Sequence, residues 1–140
     1  MELDFNNMIP ELHYYIHRKC TPTWKIEPAT IHFIDITYVI AGKADYAIGE
    51  ERLSVRKGDL ICIPKNTYRA AVCVPDDLME CYSINFFLRD RAGIDVAFPI
   101  PVKTHIGIEP ELISSFHKIY EIWLQKNFGY MLQITSIQCE

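Results

Sequence analysis

Gly58-Asp59-Leu60-Ile61-Cys62-Ile63-Pro64-Lys65-Asn66-Thr67-Tyr68-Arg69 reads as a turn, a short apolar strand and a second tight turn that sends the chain back. Gly58 and Asn66 are residue types that tolerate positive φ, which suits them to the two corners. Outward from this stretch the same pattern repeats. Candidate strands are Leu12 to Arg18, Trp24 to Glu27, Ile31 to Ile40, Asp45 to Ile48, Arg52 to Val55, Arg69 to Val74 and Met79 to Leu88. Turn signals separate them: Thr21-Pro22, Ala41-Gly42, Gly49-Glu50-Glu51 and Pro75-Asp76-Asp77. Short strands at this spacing, with no helix between them, predict a sandwich or barrel.

After the strands the period changes. Glu109-Pro110-Glu111 places a proline and acids where a helix starts. Leu112, Ile113, Phe116, Ile119, Tyr120, Trp123 and Leu124 then recur at helical spacing, a face suited to packing on the barrel. Asn127 and Gly129 interrupt the pattern, and Met131, Leu132, Ile134 and Ile137 resume it. The expectation is a mostly β fold: residues 1–10 as an N-terminal arm, 11–105 as a β-barrel, and 109–140 as two C-terminal α-helices. The second helical stripe has no evident partner inside one small barrel, so Met131, Leu132, Ile134 and Ile137 are expected to hold a homodimer together. The chain stops at Glu140 without a capping residue, which predicts that it is cut from something longer.

Composition narrows the function. The chain has 140 residues, 49% hydrophobic and 23% charged, with a formal net charge of -4. That is one globular domain's worth of core, and an acidic domain with scattered Lys and Arg is a poor grip for nucleic acid by itself. No apolar run approaches a membrane span, and no basic or apolar leader opens the chain, so the expected location is the cytoplasm. The five cysteines Cys20, Cys62, Cys73, Cys81 and Cys139 include no C-x-x-C pair. They read as reduced thiols that pack as small hydrophobes.

Together, Asp35-Ile36-Thr37-Tyr38-Val39-Ile40-Ala41-Gly42 and the stretch from Gly58 to Arg69 resemble the two halves of the small cupin barrel (double-stranded β-helix, or jelly-roll). The version they resemble is that of AraC-type transcription regulators. In that family the first half reads E-L-x-Y-V-x-x-G and the second G-D-L-x-x-I-P-P-G-T-x-H. Trp24, Pro28, the strand Cys81-Tyr82-Ser83-Ile84-Asn85-Phe86 and the ending Trp123-Leu124-Gln125-Lys126-Asn127-Phe128-Gly129-Tyr130 also fall where the family carries similar types. The resemblance spans about residues 12 to 140 and implies a ligand-sensing, dimerising domain. Binding of DNA would then belong to a helix-turn-helix domain beyond this chain.

Metal-binding cupins use an H-x-H pair, a Glu, and a later His. Here Asp35 takes the Glu place, Arg69 stands at the later His, and His32 has no H-x-H partner. A permanently protonated Arg cannot ligate a cation, so the resemblance implies no metal, no cofactor and no enzyme. If the cupin register holds, odd positions of these strands face inward. Phe33, Asp35 and Thr37 would line a cavity from one side and Arg69 and Ala71 from another, with Ser83 and Asn85 where the family's sugar-sensing members place ligand contacts, and Trp24 or Tyr14 as an aromatic wall. Such a pocket suits a small, hydroxylated effector such as a sugar. Blander readings stand beside this one. Asp35 and Arg69 pair internally in a filled barrel, Ser83 and Asn85 bond a sheet edge, and Trp24 is core. The histidines His13, His17, His32, His105 and His117 are surface or satisfied side chains rather than ligands or bases. The alternative function is a stand-alone cupin enzyme acting on a small sugar or acid.

Overall fold

The computed structural model describes residues 8–97 and 100–139, with side chains up to residue 126 in the C-terminal helix. The chain divides into a β unit ending at Ile108 and a helical unit from Glu109 onward. Strands β1 (Met8–Lys19), β2 (Lys25–Thr30), β3 (Ile34–Ala41), β4 (Lys43–Ile48), β5 (Glu51–Arg56), β6 (Asp59–Ile63), β7 (Tyr68–Cys73), β8 (Glu80–Asp90) and β9 (Lys103–His105) build the first unit. They form two antiparallel sheets, one ordered β1-β8-β3-β6-β9 and the other β2-β7-β4-β5. The sheets face each other as a sandwich, with β1 and β2 as edge strands.

The core between the sheets follows from alternation. Val39, Ile61, Ile63 and Cys81 come from the larger sheet, and Ala44, Tyr46, Ile48, Val55 and Ala71 from the smaller one. Even-numbered Ile34 and Cys62 and the partly buried Ile36 and Phe86 fall on the outer face of the larger sheet. There they pack with Leu88, Val96 and Ile100 in a second cluster. The corners behave as their residue types require: Gly58 has φ 91° and Asn66 φ 64°. Asp59 caps the first corner, accepting the Arg56 backbone N–H at 3.0 Å and contacting His105 Nδ1 of β9 at 2.7 Å.

Three expectations need adjustment. Strand β1 begins at Met8 and pairs Met8, Ile9 and Pro10 with Asp90, Arg89 and Leu88, so the last part of the expected arm is sheet; residues 1–7 lie outside the described residues. Strand β9 carries no alternation signal in its three residues, and it forms because Asp59, Leu60 and Ile61 offer it an open edge. The expected two helices are one, Pro110–Cys139, whose backbone runs unbroken through Asn127 and Gly129. Asn and Gly weaken a helix by about 1 kcal/mol each or less, and no proline lies between Glu111 and Cys139 to force an end. The side chains of Met131, Leu132, Ile134 and Ile137 lie outside the described residues. Among the described residues, no helix is long and apolar enough to cross a membrane.

Candidate functional site

Cross-strand pairing assembles the site row by row. Tyr14 of β1 stands opposite Asn85 of β8, and Asn85 opposite Asp35 of β3. The next inward-facing row is Ile16, Ser83 and Thr37, and the one after it Arg18, Cys81 and Val39. Residues directly opposite one another share a face, so these rows place Asn85, Asp35, Ser83 and Thr37 side by side toward the second sheet. From that sheet, Arg69 of β7 sits opposite Ile48 of β4, and Ala71 opposite both Tyr46 of β4 and Ile26 of β2.

Where these faces meet near the edge strands, the sandwich is hollow. A cavity of about 260 Å³ lies there, with Asp35, Thr37, Ser83, Asn85 and Arg69 among its lining. Trp24, Tyr14, Ile16, Arg18, Lys25 and Ile26 line the side toward β1 and β2, and Tyr46 and Cys81 complete the wall. The interior is therefore part solid and part hollow, with an apolar core beside a polar chamber.

The chamber is organised around one carboxylate. Asp35 is only 2% exposed and receives an ion-paired hydrogen bond from Arg69 Nη1, whose side chain is 14% exposed. Thr37 Oγ1 donates to Asp35 Oδ1 at 3.0 Å and Ser83 Oγ reaches the same oxygen at 3.1 Å, with the two hydroxyls 2.8 Å apart. Phe33 supports Arg69 from outside the chamber: the guanidinium lies 5.4 Å from its ring centroid. Two buried polar atoms at this site have no protein partner among the described residues, Arg69 Nε and Asn85 Oδ1. One is a donor and the other an acceptor, and buried polar groups without partners are costly unless something else satisfies them. Burial raises the Tyr46 hydroxyl and the Cys81 thiol well above their ordinary values, so both stay neutral walls at physiological pH.

Of the residues singled out from sequence, Trp24, Asp35, Thr37, Arg69, Ser83 and Asn85 come together at the chamber. Ala71 packs in the apolar core instead, and Phe33 does not line the chamber either. Phe33 precedes β3 and packs under the guanidinium, because the inward alternation holds only once the strand has begun at Ile34. Sequence reasoning missed Ile16, Arg18, Lys25, Ile26, Tyr46 and Cys81. Three of these were within reach of the parity rule: Ile16 and Arg18 follow Tyr14 in steps of two, and Cys81 precedes Ser83 by two. His17 pairs with Glu80 at 2.7 Å and His117 with Glu121 at 3.0 Å. Among the described residues, no group of three or more His, Cys, Asp or Glu side chains is placed to hold a metal ion.

No curated protein matches the chain. Two solved structures similar to it are a conserved protein of unknown function from Streptococcus pyogenes and the cupin domain of Cnp3 from Schizosaccharomyces pombe. The first is 13% identical, covers 59% of this chain and 76% of that chain, and has a TM-score of 0.42. The second is 12% identical, covers 71% and 72% respectively, and has a TM-score of 0.45. Residues 11–71, which carry Trp24, Asp35, Thr37 and Arg69, match the family model of the AraC-like ligand binding domain.

Proposed function

We propose that the β unit is the effector-binding domain of an AraC-type transcription regulator and that it takes a small hydroxylated molecule, of the size and chemistry of a sugar, without transforming it. The observation that carries this reading is the chamber of about 260 Å³ with its unpartnered Arg69 Nε and Asn85 Oδ1. Its volume lies just under the range usual for small-molecule pockets, which suits a single ring. A hydroxylated ring supplies both a donor for Asn85 Oδ1 and an acceptor for Arg69 Nε, and Trp24 offers it a flat apolar face. The match of residues 11–71 to a ligand-binding family supports a sensing role over catalysis.

In this reading the ligand touches Trp24, Asp35, Thr37, Arg69, Ser83 and Asn85, and its arrival biases how the residues before β1 and the C-terminal helix are held. Two copies associate in the cytoplasm through Met131, Leu132, Ile134 and Ile137. DNA is engaged by a helix-turn-helix domain that this chain does not include. Calorimetric titration with a panel of monosaccharides and small metabolites tests the binding step. A ligand that binds the wild type, and binds at least about tenfold more weakly to Asn85→Leu, supports the reading; such a loss equals one good hydrogen bond. A panel that leaves heat and melting temperature unchanged overturns it. Stoichiometric iron, manganese or zinc in the purified protein would favour a cupin enzyme instead.

A further inference from the structure

We infer that the ligand of this chamber is an anion, a hydroxylated carboxylic acid of the aldonic or uronic class rather than a neutral sugar, and that Arg18 selects it. This rests on the reading of the chamber as an effector site and adds the ligand's charge. The lining carries three cations, Arg18, Lys25 and Arg69, against one carboxylate, Asp35. That balance runs against a chain whose net charge is -4.

The three cations differ in what already satisfies them. Arg69 is neutralised by Asp35. Lys25 lies 3.0 Å from Glu27, with both side chains well exposed at the rim. Arg18 has no carboxylate within ion-pair distance among the described residues; its guanidinium instead lies 5.5 Å from the Trp24 ring centroid. The row geometry puts Arg18 beside Cys81, one inward-facing row beyond Ser83. A ring bound at Asn85 and Arg69 would therefore extend its far end toward a guanidinium that lies against an aromatic and has no carboxylate partner among the described residues. The planar fork of Arg matches a carboxylate bidentately, and the half-buried Trp24, Ile16 and Ile26 beside it shield the contact in part.

Matched pairs of ligands test the charge alone. Glucuronate against glucose, and galacturonate against galactose, are titrated calorimetrically into wild type, Arg18→Gln and Asn85→Leu, with sodium acetate as a control for unspecific anion binding. The expected result is an acid that binds at least about tenfold tighter than its neutral partner, the scale of one charge-assisted contact over a neutral one. That advantage should shrink as salt rises from about 50 mM to about 500 mM, and fall to within about threefold in Arg18→Gln. Asn85→Leu should weaken acid and neutral sugar alike. A neutral sugar that binds as tightly as its acid, or an acid preference that survives Arg18→Gln, overturns the assignment and leaves the chamber as an effector site. Acid binding that Asn85→Leu does not weaken, or that acetate reproduces, places the anion outside the chamber and overturns it too. If neither member of either pair binds, while another metabolite does so in an Asn85-dependent way, the sugar-acid class is wrong but the site is right.

Discussion

Arg69 of β7 and Asp35 of β3 join the two sheets of the sandwich through an ion pair that crosses the interior, beside the apolar core and at the wall of the chamber. Asp35 has no bulk water to fall back on and Arg69 has little, so the pair and its hydroxyl neighbours form one connected unit. Removing one member has consequences out of proportion to a single contact.

Arg69→Met should lower the unfolding free energy by about 3–5 kcal/mol, because it leaves the Asp35 carboxylate buried with only hydroxyl donors. Adding Asp35→Leu should restore part of that loss, since an apolar pair of similar volume avoids the desolvation cost. Urea denaturation of the two variants reads the difference. A loss under about 1 kcal/mol for Arg69→Met would mean that the carboxylate is solvated, as for a surface pair.

Thr37→Val and Ser83→Ala each remove one hydroxyl from Asp35 Oδ1 and should each cost about 1–2 kcal/mol. Their effects should not add. The hydroxyls are 2.8 Å apart and share one acceptor, so the double variant should depart from the sum by about 0.5 kcal/mol or more. A double-mutant cycle in urea measures this directly.

Burial raises the Cys20 and Cys62 thiols from an ordinary value of 9.0 to about 11. A folded-state value above the unfolded one stabilises the fold below the unfolded value and ceases to do so as pH climbs. Stability should therefore decline between pH 9.0 and about 11, and Cys20→Ala with Cys62→Ala should flatten that part of the profile. At pH 8 a thiol-specific alkylating agent should label the half-buried Cys73 before the buried Cys20, Cys62 and Cys81, as followed by peptide mass spectrometry.

Gly42 and Gly49 both have positive φ, 72° and 60°, but only Gly42 is crowded. A methyl group there would run into the Leu78 carbonyl and come within 2.8 Å of Met79 Cα, whereas one at Gly49 meets nothing within 4 Å. Gly49→Ala should cost about 1 kcal/mol, the conformational term alone, and Gly42→Ala at least about 2 kcal/mol because steric strain adds to it. Equal losses in thermal or chemical unfolding would rule out the close approach of the chain at Leu78.

Much of this architecture is local in origin, and the sequence by itself determined that part. Period-two alternation, glycine and asparagine at positive-φ corners and proline-containing turns mark eight of the nine strands among the described residues, and the same alternation puts Asp35, Thr37, Ser83 and Asn85 on one face. These features are legible because each depends on a few neighbouring residues. The tertiary structure decided the rest, because it depends on partners distant in the chain. Strand β9 exists only as a guest on the edge of β6, and Phe33 is displaced from the chamber to support Arg69. The polarity of the chamber was written into its strands, but the hollow itself and the place of Arg18 at its wall, against Trp24, arise only when strands from opposite sheets are brought face to face.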